Sequence, residues 1–102
     1  MGSREELQIK LETVLGSRDV YFQPPATIKI KYPAIVYSLG GIHIRNANNR
    51  PYIKGKNYTV TIIHKDPDNT VIDEIIDAFE YIRFDRMYII ENLYHYVFEI
   101  FF

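Results

Sequence analysis

The chain has 102 residues, a formal net charge of −1 at pH 7 and no cysteine. This length suits one domain over residues 1–102, the near-zero charge gives no general attraction to nucleic acid, and the lack of cysteine excludes disulfides and thiolate metal sites. No apolar run reaches the ~20 residues that a membrane-spanning helix needs, so we expect no membrane partner. Nine Tyr and six Phe are many for this length, and such a surplus is typical of interaction surfaces.

The first predicted element is an amphipathic helix over residues 4–15, where apolar residues recur at helical spacing. Ser3 is the expected N-cap, and Glu6 three positions later completes a capping box. Gly16 is the expected C-cap, because glycine adopts the left-handed conformation at little cost.

Short β-type segments follow the helix. The first ends at Pro24-Pro25, since two missing N–H donors cannot lie within a central ladder. Gly40-Gly41 indicates a turn or a bulge. The segments are Val20–Phe22, the short alternating run 27–31, the mostly apolar run 34–39 and the alternating run 42–45.

Residues 46–57 are rich in Asn, Gly, Pro and basic residues, which predicts a long loop or an extended hairpin tip. Residues 58–63 form the clearest strand, with Tyr58, Val60 and Ile62 alternating with two threonines.

An acidic stretch then leads into a second predicted helix, about residues 70–84. Asp66 and Asp68 precede it, where a carboxylate can accept the free N–H groups of the first turn. Strands follow over 87–90 and 93–102, and Phe79 and Phe98 are expected to pack helix against sheet. The predicted apolar stripe of the helix consists of Ile72, Ile75, Ile76, Phe79 and Ile82.

These elements predict an α+β domain in which two helices pack on one face of a mostly antiparallel β-sheet, in the order α-β-β-β-α-β-β.

No residue pattern in the chain indicates catalysis or metal binding. A calcium loop starting at Asp66 would need an oxygen ligand followed by glycine where Thr70 and Val71 stand. The three histidines show no metal-ligand spacing, and Ser38 lies in no nucleophile elbow. We therefore expect no enzyme activity, no catalytic or cofactor-binding residue, no metal site and no cofactor.

Charge is segregated along the sequence. Residues 29–65 hold seven Lys or Arg and no acid, whereas residues 66–80 hold six acids and no base. Each block could serve as the solvated face of its element. Alternatively, a basic patch on one copy meets an acidic patch on the next, which makes the candidate interface residues Arg45, Arg50, Lys54, Lys56, Asp73, Glu74 and Asp77. A basic loop containing Tyr52 could also follow a nucleic-acid backbone, although such loops are usually solvated.

Six sequence blocks, in this order, resemble the small tail terminator (tail completion, head–tail joining) proteins of tailed phages and prophages of Gram-positive bacteria. The likeness covers about four-fifths of the chain. The blocks are VYFQPP at 20–25, KYPAIVYS at 31–38, RPYIKGKNYTVTII at 50–63, HKDPDN at 64–69, RFDRMYIIENL at 83–93 and HYVFEIFF at 95–102.

The resemblance implies a structural virion protein, made in the host cytoplasm and located at the head–tail junction. It implies a hexameric ring of this chain, or a monomer when isolated, that caps the tail tube protein and joins it to the head-completion or connector protein. DNA would pass through the bore without sequence-specific binding. The alternatives are another connector component, such as a head-completion stopper, or an unrelated small bacterial adaptor domain.

Overall fold

A computed structural model describes the backbone of residues 3–47 and 50–102 and the side chains of residues 3–40 and 56–102. These residues form two helices and five strands. The elements are α1 Arg4–Leu15, β1 Val20–Phe22, β2 Ala34–Ala47, β3 Arg50–His64, α2 Val71–Ala78, β4 Ile82–Ile90 and β5 Leu93–Phe101.

The strands form one open sheet in the spatial order β1-β2-β3-β5-β4. Strand β1 runs parallel to β2, and every other neighbouring pair is antiparallel. The α+β class and the mostly antiparallel sheet are therefore confirmed. Strand β5 lies between β3 and β4, so the β3–α2–β4 connection passes over it.

One face of the sheet carries the core. The register pairs Tyr58 with Ile100 and Val60 with Phe98, which places these side chains on a common face. Both helices contribute to the same buried cluster, and its fully buried members are Leu7 and Leu11 of α1, Ile75 of α2, and Ile35, Val60, Ile62 and Ile100 of the sheet. At about 25 cal/mol per Å² of apolar surface, burying each such side chain contributes roughly 1.5–3 kcal/mol.

Helix α1 begins and ends at the predicted caps. The Ser3 side chain accepts the backbone N–H of Glu6, and the Glu6 side chain accepts the backbone N–H of Ser3. Gly16 has a φ of 82°, and its N–H donates to the carbonyl of Glu12 at 2.8 Å. The helix thus ends in the left-handed conformation that favours glycine.

Strands β2 and β3 form a hairpin that is longer than expected. Runs 34–39 and 42–45 belong to one strand, and pairing extends from Ala34–Ile63 to Ala47–Arg50. The extended-hairpin alternative is confirmed for residues 46–47 and 50–57, because backbone pairing to the facing strand outweighs the turn-forming composition there. The register shifts near Gly40, as a bulge requires, and a Cβ at that position would lie 3.2 Å from the carbonyl oxygen of Asn57.

The predicted bounds of helix α2 and strand β4 are wrong. Helix α2 ends at Ala78 rather than near residue 84, because Phe79 adopts an extended conformation (φ −119°, ψ 135°) that buries its ring. Strand β4 starts at Ile82 rather than Met87. The apolar stripe is also narrower than predicted, since Ile76 is 46% exposed.

Run 27–31, which alternates in sequence, forms no strand. It lies in the connection between β1 and β2, where the N–H of Ile28 donates to the carbonyl of Pro25 in a turn. A single turn replaces the ladder that alternation alone would favour.

The prediction that Phe98 lies in the core between helix and sheet is confirmed, because Phe98 is 1% exposed and belongs to the buried cluster. We expect Phe98→Ala to lower the free energy of unfolding by about 3–5 kcal/mol, since it leaves a cavity between helix and sheet. Chemical denaturation followed by circular dichroism measures this loss. The matched control is Phe84→Ala: this ring packs on Phe98 from β4 but is 53% exposed, so its loss should be less than half as large. Equal losses would contradict the assignment of the buried face.

Candidate interaction surfaces

The acidic stretch after β3 forms a self-contained turn. The Asp66 carboxylate accepts the backbone N–H of Asp68 at 2.9 Å, and the Asn69 side chain donates to the Asp66 carbonyl at 2.8 Å. Asp66 also donates its own N–H to Nδ1 of His64 at 3.0 Å. The expectation that these aspartates cap the helix is wrong, because the N-cap is Thr70, which makes no side-chain cap bond. The carboxylates instead order the turn that delivers the chain to α2.

The outward surface of α2 is acidic. Asp73 and Glu74 lie in its first turn, where the helix dipole favours negative charge, and Asp77 lies one turn later. All three are exposed. The ion pairs among the described residues are Arg83–Glu99 and Arg86–Asp85, so no described base neutralises an acid of α2. Asp73 and Asp77 are four residues apart, a spacing at which like charges repel.

The predicted basic residues lie on the β2–β3 hairpin. Arg45 pairs with Ile53, Lys54 pairs with Ile44, and Arg50 pairs with Ala47; the side chains of Arg45, Arg50 and Lys54 fall outside the described residues.

Lys56 is exposed, and its backbone exchanges hydrogen bonds with Phe102 at 2.9 and 3.3 Å. Strand β5 pairs with β3 from Asn57 to His64. Arg45, Arg50 and Lys54 therefore belong to the part of the hairpin that lies past this three-stranded region, and Lys56 lies at its end.

The described histidines have local roles in the fold. His64 accepts the backbone N–H of Asp66, and His95 stacks on Tyr88 with ring centroids 4.7 Å apart and an angle of 14° between the planes. Within residues whose side chains are described, no cluster of three His, Cys, Asp or Glu could hold a metal ion. His43 lies outside them. In the described chain, neither helix has the length and apolar character that crossing a membrane requires.

Strand β4 presents an exposed apolar surface that the sequence analysis missed. It is an edge strand, and it exposes large apolar side chains: Phe84 53%, Met87 47%, Ile89 56% and Ile90 52%. Phe84 and Met87 share the helix side of the sheet, because they pair with Phe98 and Tyr96 of β5. The sequence signal for this strand was the apolar run at residues 87–90. The bulge at Asp85 interrupts the alternation, so the sequence did not show that the strand extends back to Ile82.

The opposite side of the same strands carries a shallow, open groove of about 420 Å³. Arg83 forms an ion pair with Glu99, and the Asn57 amide donates to the other Glu99 oxygen at 3.4 Å. Tyr81 packs edge-on against Phe101 at 6.1 Å. The Arg83 side chain is 72% exposed, so this ion pair contributes little to stability.

Tyr37 joins α1 to the sheet. Its ring is 1% exposed, its hydroxyl donates to the Gln8 side chain, and Arg4 donates to that hydroxyl at 3.4 Å. Burial raises the pKa of Tyr37 above its ordinary value of 10.0, and the nearby Arg4 charge offsets part of that rise. The neutral phenol is thus the form that the fold favours.

The raised pKa of Tyr37 makes the protein less stable in strong base. The unfolded state loses this proton around pH 10.0 while the folded state keeps it. The contribution of the Tyr37 proton to stability is therefore fully present below pH 10.0 and is lost as the pH rises through the raised pKa. We expect the urea midpoint of Tyr37→Phe to fall less steeply above pH 10.0 than that of the wild type. Tyr81→Phe is the control, because Tyr81 is 61% exposed and its variant should follow the wild type. Identical slopes for all three proteins would contradict the prediction.

Comparison with known proteins does not assign the chain to a family. No protein-family model matches it, and a search of curated proteins finds no significant match. The likeness to tail terminators therefore remains a hypothesis, and the acidic surface of α2 and the basic β2–β3 hairpin are the features that bear on it.

Proposed function

We propose that this chain is a structural virion protein of the tail terminator type, which assembles as a hexameric ring on the end of a phage tail tube and joins it to the capsid connector. The observation that carries the proposal is the acidic outward surface of α2, whose three carboxylates are exposed and unpaired within the described chain. Unpaired like charges on one surface favour a partner of opposite charge.

A ring repeats one heterologous contact, so its two contacting surfaces differ. In the proposed ring, the basic positions Arg45, Arg50, Lys54 and Lys56 of one copy approach Asp73, Glu74 and Asp77 of its neighbour. The hairpin supports this arrangement, because it carries Arg45, Arg50 and Lys54 past the sheet region that β5 covers. The helix supports it from the other side, because its acids point away from the core.

The proposal places the protein at the head–tail junction of the virion, after synthesis in the host cytoplasm. Its partners are further copies of itself, the tail tube protein and the head-completion or connector protein. DNA passes through the bore without base-specific contact, and the protein acts without a cofactor. It carries out no reaction; its function is to stop tube growth and present a joining surface.

Tail tubes provide the direct test of function. Tubes assembled from the tail tube protein of the same phage are mixed with this chain and imaged by negative-stain electron microscopy, and fresh tube protein is then added. We expect a cap on one end of each tube and no further growth from that end. Continued growth, together with binding to DNA-filled capsids, would instead support a head-completion stopper. Binding to neither particle would support a bacterial adaptor.

The proposed contact between copies is tested by charge reversal. We expect Asp73→Lys with Asp77→Lys to weaken capping and to make it more sensitive to salt, because attraction across the contact becomes repulsion. The matched control is Glu5→Lys with Glu91→Lys, which changes two exposed acids outside α2 by the same total charge. Capping is scored on tubes, since the ring is proposed to assemble on the tube end and need not form in the isolated protein. Equal capping by both variants and the wild type would exclude this contact.

A further inference from the structure

We propose that strand β4 pairs antiparallel with β4 of a second copy, about a twofold axis that passes between Asp85 and Arg86. Strand β4 is nine residues long and forms one edge of the sheet. An edge strand presents backbone N–H and C=O groups that can pair with another chain. This inference goes beyond the proposed function and does not rest on it, because it uses neither the β2–β3 hairpin nor α2.

The bulge at Asp85 makes such a pairing possible. In a regular strand, residues three positions apart lie on opposite faces, so a twofold pairing could not oppose Phe84 to Met87. Here Asp85 has no partner in β5, while Phe84 pairs with Phe98 and Met87 with Tyr96. Phe98 and Tyr96 share a face, so Phe84 and Met87 also share one. Two such bulges facing each other keep both strands in register.

The proposed register joins apolar side chains on the helix side of the sheet. It opposes Phe84 to Met87 of the second copy, and Ile82 to Ile89. Phe84, Met87 and Ile89 are 53%, 47% and 56% exposed in the single chain, so each has surface to bury. A thioether beside an aromatic ring is a favourable contact, and directly opposed apolar residues stabilise antiparallel pairs.

The same register matches charge at its centre. Asp85 of one copy opposes Arg86 of the other, and the twofold axis repeats this pair. Within one chain Arg86 already contacts Asp85 at 2.6 Å, so the dimer would bring two carboxylates and two guanidiniums together with no net charge. On the outer side of the sheet, Arg83 opposes Tyr88, which allows a cation–π contact. Each of the four opposed pairs is therefore apolar, oppositely charged or cation–aromatic.

This match favours a second copy of the chain as the occupant of the edge. Charges and bulges on an edge strand often prevent association, but they do so when the facing residues are not complementary. Residues 82–89 read Ile-Arg-Phe-Asp-Arg-Met-Tyr-Ile. In an antiparallel pairing, the first four residues of one copy lie opposite the last four of the other, and the opposed residues complement each other. A self-complementary surface is what a twofold interface requires.

Charge exchange between copies tests the register. Asp85→Arg places two arginines opposite each other in the dimer, and Arg86→Asp places two aspartates there. We expect each single variant to raise the dimer dissociation constant by about tenfold or more, as measured by sedimentation velocity over a concentration series. The double variant, Asp85→Arg with Arg86→Asp, restores opposite charges and should dimerise like the wild type. An equimolar mixture of the two single variants should form a heterodimer.

Folding effects are separated by the melting temperature of each variant, and Glu91→Arg serves as a charge-changing control just outside β4. The wild type should dimerise, and the equimolar mixture of Asp85→Arg and Arg86→Asp should recover the association that each single variant loses. A wild type that stays monomeric at every concentration would overturn the inference. So would a dimer that both single variants retain, or a mixture of folded variants that does not associate. None of these outcomes depends on whether the chain caps tail tubes.

Discussion

Burial of a single sheet face beneath two helices is the constraint on which the rest of the structure depends. The helices and sheet share one cluster that includes Leu11, Ile75 and Phe98. Helix α2 has eight residues and spans about 12 Å, whereas the nine residues of β4 extend about 30 Å. A helix of this length cannot cover the edge strand from end to end. Apolar residues of β4, Phe84, Met87 and Ile89, are half exposed on the same side as the core.

Local signals predicted the parts of the fold that local interactions determine. The capping box of Ser3 and Glu6 depends on a spacing of three residues, and Gly16 on its own conformational freedom. Both were readable from the sequence. The end of α2 was not, because Phe79 continues the helical apolar period but leaves the helix to bury its ring near α1. There, the Lys10 ammonium lies 4.7 Å from the ring centroid. Only the contact of Phe79 with α1 in the folded chain shows that residue 79 no longer belongs to the helix.

The candidate interaction surfaces also differ in whether local sequence signals predict them. The outward acids of α2 were predicted because a helix with an apolar side must have a polar one, and their exposure follows from that pattern. Strand β4 escaped prediction for two reasons. Its bulge interrupts the alternation that reveals a strand, and its place at an edge depends on which strands pair across the sheet. Neither property is present in a window of neighbouring residues.

The position of β5 between β3 and β4 has a consequence for how the molecule folds. Within the sheet, β4 pairs with β5, which in turn pairs with β3. During synthesis, α2 and β4 emerge before β5. Strand β4 therefore has no strand to pair with until residues 93–101 are available. Both the core near Phe98 and the pairing of β4 depend on β5. A chain interrupted before Leu93 would lose both, and the nascent protein would present its β4 edge in the folded arrangement only after β5 had docked.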